Sequence, residues 1–112
     1  TIYDALKARL QVSGFRVQGV LDRSQAAHNF SPHPMLVTAG ARLRRDKLPG
    51  QSKLHHKLLV LDDKVAIGGS FNYTGPANQY NDENLFIIRN SAIATYFKTE
   101  VERVFGNLAE DF

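Results

Sequence analysis

Residues 53–75, KLHHKLLVLDDKVAIGGSFNYTG, decide the expected fold because two apolar runs flank a pair of aspartates. The runs at residues 54–61 and 65–71 have the length and the aliphatic content typical of β-strands. Asp62 and Asp63 between them suit a tight turn. The segment therefore predicts a β-hairpin, and polar side chains crowd the two outer ends of that hairpin.

The alternation of side chains along the first strand separates the two adjacent histidines. His55 shares one face of the strand with Lys57, whereas His56 shares the opposite face with Leu58. His55 is therefore the histidine that a lysine accompanies, and His56 is expected to be packed or exposed elsewhere.

The length of the turn sets which residues of the second strand lie opposite the histidines. A two-residue turn pairs Leu61 with Lys64. In that register four polar side chains gather on one face, because opposed residues share a face: His55, Lys57, Ser70 and Asn72. A three-residue turn would shift the pairing by one residue and would place Ser70 beside His56 instead.

The gathered side chains are suited to phosphoryl chemistry. An imidazole can act as a nucleophile or as an acid and base, and ammonium and amide donors suit the oxygens of a phosphate. Gly68 and Gly69 leave room for a ligand near the backbone. The alternative is a buried hairpin whose histidine makes only structural hydrogen bonds.

The remaining chain alternates between helical and strand patterns, which predicts a single α/β domain over residues 1–112 with helices around one sheet. The expected helices are residues 2–12, 31–39 and 93–105. The expected further strands are residues 15–21, 41–45 and 85–88, and loops are expected at residues 23–33, 46–52 and 72–82.

Composition narrows the functional classes. The 112 residues carry a net charge of +3, and no cysteine is present, which excludes disulfides and thiolate chemistry. No apolar run reaches the roughly 18 residues of a transmembrane helix. The basic cluster Arg42, Arg44 and Arg45 could contact phosphate backbones or an anionic membrane surface. The alternative for this cluster is a solvated strand edge.

The spacing of the polar residues resembles a known signature. His55-x-Lys57, four residues, Asp62, six residues, Gly69-Ser70-x-Asn72 is similar to the HKD motif of the phospholipase D superfamily. The continuation GSFNYTGPANQYNDENLFII, residues 69–88, resembles its nuclease branch. This resemblance implies a mixed sheet flanked by helices. It also implies a strand before the first helix, so the chain is expected to be N-terminally truncated and to lack the first strand.

The resemblance also implies a mechanism. His55 would attack a phosphodiester and form a covalent phosphohistidine, while Lys57 and Asn72 hold the non-bridging oxygens. Ser70 would line the same pocket, and Glu83 would hydrogen-bond the His55 ring and fix its tautomer. Asp62 and Gly69 are expected to be structural.

Family enzymes combine two such motifs, and this sequence contains one. A homodimer that shares one site is therefore expected, with no metal and no cofactor. Nucleic acid is the expected substrate. The alternatives are a phospholipid, through a phosphatidyl head group or cardiolipin, and a non-catalytic module of a larger protein. His28 and His33 are expected to be loop histidines rather than zinc ligands.

Overall fold

The computed structural model describes residues 1–74 and 77–112 in full, and residues 75 and 76 only as the start of a helix. The chain divides into two compact units. Unit 1 contains Thr1–Leu54 and Arg103–Phe112, and unit 2 contains His55–Glu102.

Unit 1 is a small three-stranded sheet with short helices. Its elements are α1 (Ile2–Arg9), β1 (Gln18–Leu21), α2 (Arg23–Ala26), α3 (His33–Thr38), β2 (Arg42–Asp46) and β6 (Ala109–Glu110). Strand β2 lies in the centre, parallel to β1 and antiparallel to β6. The sheet of this unit is therefore mixed, as the sequence predicts.

The helices of unit 1 begin at side-chain caps. Thr1 and Asp4 form a reciprocal capping box at the start of α1. Asp22 caps α2 by accepting hydrogen bonds from the backbone N–H groups of Ser24 and Gln25. Helix α2 lies in the stretch predicted to be a loop, because a single turn is too short to show a helical period in the sequence.

Unit 2 contains the hairpin. Its elements are β3 (Leu59–Leu61), β4 (Val65–Gly69), α4 (Gly75–Tyr80), β5 (Leu85–Arg89) and the first part of α5 (Ser91–Asn107). The three strands form an antiparallel sheet in the order β3-β4-β5. Helix α4 lies in a stretch predicted to be a loop. Thr74 is its N-cap, and a Gly-Pro pair opens a helix here instead of marking a turn.

The buried positions are mostly small or aliphatic. In unit 1 they are Ala26, Leu36, Ala41, Asp46, Val104, Phe105 and Ala109; in unit 2, among the described residues, Ala66, Ala77 and Ala94 are the buried hydrophobic ones. Within the described part of the chain, no helix combines the length and apolar character needed to cross a membrane.

The predicted single sheet is wrong in one respect: the strands form two separate three-stranded sheets, one in each unit. The predicted first strand of the hairpin, residues 54–61, is also shorter, because only Leu59–Leu61 pairs with a neighbour. The α/β class with flanking helices is confirmed.

The two-residue register of the hairpin is wrong. Leu61 pairs with Val65, not with Lys64. Asp62 and Asp63 do form the tight turn, both at positive φ, and Lys64 N–H donates to the Leu61 carbonyl at 3.0 Å. Lys64 is an extra residue between this turn and the ladder, so the pairing shifts by one.

Candidate functional site

All five residues that the motif nominates as catalytic lie in unit 2, and they are His55, Lys57, Ser70, Asn72 and Glu83. The first two precede β3, in a segment that belongs to no strand. Ser70 follows β4 directly, and Glu83 comes two residues before β5. The pairing of β4 with β5 therefore brings the residue after one strand close to the residues before the other.

Ser70 and Asn84 extend the β4–β5 pairing by one step. Ser70 N–H donates to both the backbone and the side-chain oxygen of Asn84, each at 3.1 Å. Asn84 N–H in turn donates to the Ser70 hydroxyl oxygen at 3.0 Å. The Ser70 side chain is therefore fixed in position although the residue is exposed.

Glu83 is the centre of the hydrogen bonds in this region. The Ser70 hydroxyl donates to Glu83 Oε2, and the Asn81 side-chain amide donates to Oε1 at 3.1 Å. These two hydrogen bonds, with the nearby positive charge of Lys57, hold the pKa of the Glu83 carboxyl below its usual range. The lowered pKa favours the ionised form of the Glu83 carboxyl.

Lys57 follows the motif histidine by two residues. Its Nζ donates to the backbone carbonyl of His55 at 2.9 Å. Its positive charge makes a smaller contribution than the two hydrogen bonds to the lowered pKa of Glu83. The structure thus joins Ser70 to Glu83 directly, and a catalytic role for Lys57, Ser70 and Glu83 stays a prediction.

The two histidines differ in their surroundings. His56 Nε2 lies 3.3 Å from Glu100 Oε1 on α5. His55 is exposed, and within the described part of the chain its ring makes no hydrogen bond. The shifted register does not pair His56 with Ser70, because the ladder stops at Leu59.

Two expected interactions are not formed in the described residues. Glu83 bonds Ser70 and Asn81 rather than the His55 ring. Asn72 is exposed, and its backbone carbonyl accepts a hydrogen bond from Thr74 N–H at 2.7 Å. Roles for these two side chains toward a substrate remain predictions.

The structure explains why position 69 is a glycine. Its φ is +142°, and a Cβ there would lie 2.3 Å from the backbone oxygen of Asn84. Only glycine fits this close approach without moving the backbone that holds Ser70. Asp62 lies in the hairpin turn at φ 52°, a conformation that aspartate tolerates better than most residues.

An apolar cavity of about 730 Å³ opens beside Lys57. Its walls include Leu58, Gly68, Phe86 and Phe97, and the Phe86 ring lies over Gly68. The rings of Phe86 and Phe97 are 6.3 Å apart. Unit 2 therefore presents an apolar surface next to Lys57.

The basic cluster of unit 1 is engaged with groups of its own unit. Arg44 bonds Asp111 at 2.8 Å and the Phe105 carbonyl at 2.8 Å, and Arg45 bonds Glu110 at 3.1 Å. The guanidinium of Arg42 lies 4.9 Å from the centre of the Phe105 ring. Substrate binding by these arginines stays a prediction, and Arg44, with 23% of its side chain exposed, is the least accessible candidate.

His28 and His33 both have aromatic neighbours, and His33 is the first residue of α3 rather than the loop histidine that was expected. His33 stacks on Phe112 with ring centres 4.2 Å apart, and its Nδ1 lies 2.9 Å from the Ser31 hydroxyl. Burial lowers the pKa of His33. His28 stacks more loosely on Phe30, at 6.5 Å. Among the described residues, no three histidine or acidic side chains come together as a metal ion would require.

Comparison with known proteins identifies the family. Residues 1–105 match the family model described as "Cardiolipin synthase, PLD-like domain". The mitochondrial cardiolipin hydrolase of Homo sapiens is 38% identical over 95 residues, which cover 85% of this chain and 37% of that protein. A phospholipase D of Rickettsia conorii is 36% identical over 98 residues, which cover 87% and 48%. The chain belongs to the phospholipase D superfamily, and it spans less than half the length of these two relatives.

Solved structures agree with this assignment. Nuc from Salmonella typhimurium, a phospholipase D family member, matches with a TM-score of 0.83 and 28% identity, over 99% of this chain and 72% of that one. NucT from Helicobacter pylori matches with a TM-score of 0.86 over 99% and 74% of the two chains. At 20% identity, that second likeness concerns the fold alone. The predicted phospholipase D-like fold is confirmed.

Sequence reasoning missed several residues that support the site. Asn81, whose side-chain amide bonds Glu83, is one of them. The bond from Lys98 on α5 to Asp63 in the hairpin turn, at 2.8 Å, joins residues 35 positions apart and has no local signal. Asp22 and Asp46 form contacts of the same long-range kind in unit 1.

Proposed function

We propose that this chain is a phosphodiesterase that works through a covalent phosphohistidine at His55. One observation carries the proposal. The Ser70 hydroxyl is held on the Glu83 carboxylate, and Lys57, whose charge contributes to the lowered Glu83 pKa, bonds the backbone carbonyl of His55. In the family motif, these residue types surround a phosphate.

The proposed first step is an exchange of bonds at phosphorus. A ring nitrogen of His55 forms the N–P bond while the P–O bond to the leaving alcohol breaks. Lys57 neutralises the charge on the non-bridging oxygens, together with Asn72 when a phosphate is bound. A water molecule then loses a proton to a second, neutral histidine and attacks phosphorus, the N–P bond breaks, and His55 is regenerated.

The leaving oxygen needs a proton from a second histidine, and the motif occurs once in this sequence. We propose that a second copy of the chain supplies it, because a two-fold axis can place two copies of His55 on either side of one phosphate. The exposed apolar side chains of β5 support association with another chain. They are Leu85, Phe86 and Ile87, which are 51%, 40% and 51% exposed.

We propose nucleic acid as the substrate, because the chain carries a net charge of +3 and exposes its candidate site to solvent. A phospholipid is the second candidate. The apolar cavity beside Lys57 favours it, since acyl chains need such a surface. Two similar proteins, named as a mitochondrial cardiolipin hydrolase and a phospholipase D, also support it.

The proposal is tested by cleavage assays in excess EDTA on three substrates: single-stranded DNA, cardiolipin vesicles and a chromogenic phosphodiester. We expect the wild-type protein to cleave the chromogenic diester and DNA without metal, and His55→Ala to be inactive on both. Cleavage of vesicles but not of DNA would establish the second substrate class.

His56→Ala is the matched control, because it removes the same side chain at the adjacent position. His56 faces Glu100 rather than the Ser70 side of the unit. We expect this variant to retain activity. Activity that survives in His55→Ala and disappears in His56→Ala would refute the assignment of the nucleophile.

A further inference from the structure

Residues 47–54 form the connection between β2 and the His55–Lys57 segment, and this connection needs other groups to hold it in place. Residues 47–54 follow β2 and contain no helix or strand, with Pro49 and Gly50 near their centre. Such a segment samples many conformations unless other groups hold it. Its last residue, Leu54, is one peptide bond from His55, so the position of Leu54 sets where the histidine begins.

Three hydrogen bonds attach the connection to the end of β2 and to the start of α2. They run from Leu48 N–H to Asp46 Oδ1 at 3.1 Å, from Arg23 Nη2 to the Gly50 carbonyl at 2.8 Å, and from Leu54 N–H to Asp22 Oδ2 at 3.2 Å. The connection is therefore held near its beginning, its middle and its end.

The end of β2 and the start of α2, to which the connection is attached, are bonded to each other. Asp46 is fully buried, and its Oδ2 accepts a hydrogen bond from the Arg23 backbone N–H at 2.6 Å. This bond ties the first residue of α2 to the last residue of β2. A buried carboxylate with two backbone donors is costly to disturb, so α2 begins at a defined point.

Asp22 uses its two carboxylate oxygens for different purposes. Oδ1 caps α2, accepting from Ser24 and Gln25 N–H groups at 3.0 Å each, whereas Oδ2 accepts from Leu54. Burial raises the pKa of Asp22, but the hydrogen bonds from these partners outweigh it and hold the pKa below its usual value. One side chain thus couples the cap of a helix to the residue before His55.

We infer that Asp22 is a positioning residue for His55: its bond to Leu54 is the last fixed point before the segment that carries His55 and Lys57. This inference rests on the proposed function. It assigns Asp22 no contact with substrate. Its effect passes through the backbone, and the expected consequence of losing it is a misplaced nucleophile.

Asp22→Asn separates the two tasks of the side chain. Asparagine is as good an N-cap as aspartate, so its one oxygen keeps the cap of α2. Its NH₂ group then faces Leu54 N–H, and two donors cannot bond each other. We expect kcat to fall about 10- to 100-fold, as for a catalytic group displaced by about 1 Å, with KM unchanged. Asp4→Asn is the matched control, because it makes the same substitution at the start of α1.

The other partner of the bond gives an independent test. Replacing the Leu54 amide by an ester removes the N–H donor and leaves both side chains unchanged. We expect this protein to lose as much kcat as Asp22→Asn, and the double variant to lose no more than either single change. Losses that multiply in the double variant would overturn the inference.

Amide hydrogen exchange separates this inference from the proposed function. We expect Asp22→Asn to speed exchange at Leu54 and in the His55–Lys57 segment, with α2 protected as in the wild type. A wild-type protein without phosphodiesterase activity would refute the proposed function, and faster exchange confined to this segment would still support the positioning role. Unchanged exchange at Leu54, or an unchanged kcat with faster exchange, would overturn it.

Discussion

Gly69→Ala tests whether the close approach of β4 and β5 fixes the candidate site. Gly69 adopts φ +142°, and the added Cβ would lie 2.3 Å from Asn84 O and 2.9 Å from Asn84 Oδ1. Real Cβ atoms do not approach so closely, and the nearest atom belongs to the backbone. The strand ends must therefore separate, and Ser70 must move with them because its N–H bonds the same oxygen.

The expected cost follows from this geometry. Placing a residue with a side chain in such a backbone region costs about 1–3 kcal/mol, before the clash with Asn84 is relieved. For a chain of this size, we expect the melting temperature to fall by about 5–15 °C. The displaced Ser70 also loses its bond to Glu83, so activity should fall more than the loss of folded protein explains.

Thermal and urea unfolding measure this effect, with Gly106→Ala as the control. Gly106 lies in α5, and a Cβ there meets no atom within 4 Å. Alanine in a helix is favoured over glycine by about 0.5–1 kcal/mol, so the control should be stabilised. A Gly69→Ala protein as stable as the wild type would refute the argument about the β4–β5 approach.

Two further predictions concern pKa values, and NMR titration measures both. Ser70→Ala removes the main hydrogen bond that lowers the Glu83 pKa, so that pKa should rise toward its usual value. A lowered carboxyl pKa stabilises the fold above the unfolded pKa, and this is lost as pH falls through the folded value. Ser70→Ala should therefore destabilise the protein at neutral pH and have less effect in acid; an unchanged Glu83 titration would contradict this. Phe112→Ala uncovers the His33 ring, so the pKa of His33 should rise toward the usual histidine value. The wild type loses stability as the pH falls below that usual value, and the variant should lose less stability over the same pH range. A His33 pKa that stays low in the variant would contradict the assignment of the burial to Phe112.

The hairpin shows both the reach and the limit of sequence reasoning. The apolar runs and the aspartate pair predicted β3, β4 and the turn at Asp62 and Asp63, and all three are present. The predicted hairpin register was wrong because Lys64 is an extra residue after the turn. A lysine at this position gives no sequence signal that it lies outside the ladder. A one-residue shift reverses the faces of a strand, so a parity argument depends entirely on turn length.

The site shows a different limit. Strand pairing places Ser70, which directly follows β4, against Asn84 and Glu83, which precede β5. The His55 ring and the Asn72 amide were not placed by this logic, since both lie outside the ladders. The bond from Asp22 to Leu54 in the connection before His55 joins residues 32 positions apart, and the bond from Asp46 to Arg23 joins residues 23 positions apart. Local patterns do not encode such contacts.

The most direct test of the account is to trap the covalent intermediate. The protein would be mixed with a phosphodiester substrate in excess EDTA, quenched within one turnover under conditions that preserve phosphohistidine, and mapped by peptide mass spectrometry. The account predicts one adduct on His55 that contains the phosphoryl group and the ester substituent that the substrate retains, absent from His55→Ala and present in His56→Ala. An adduct on His56, or cleavage that His55→Ala catalyses as fast as the wild type, would contradict it.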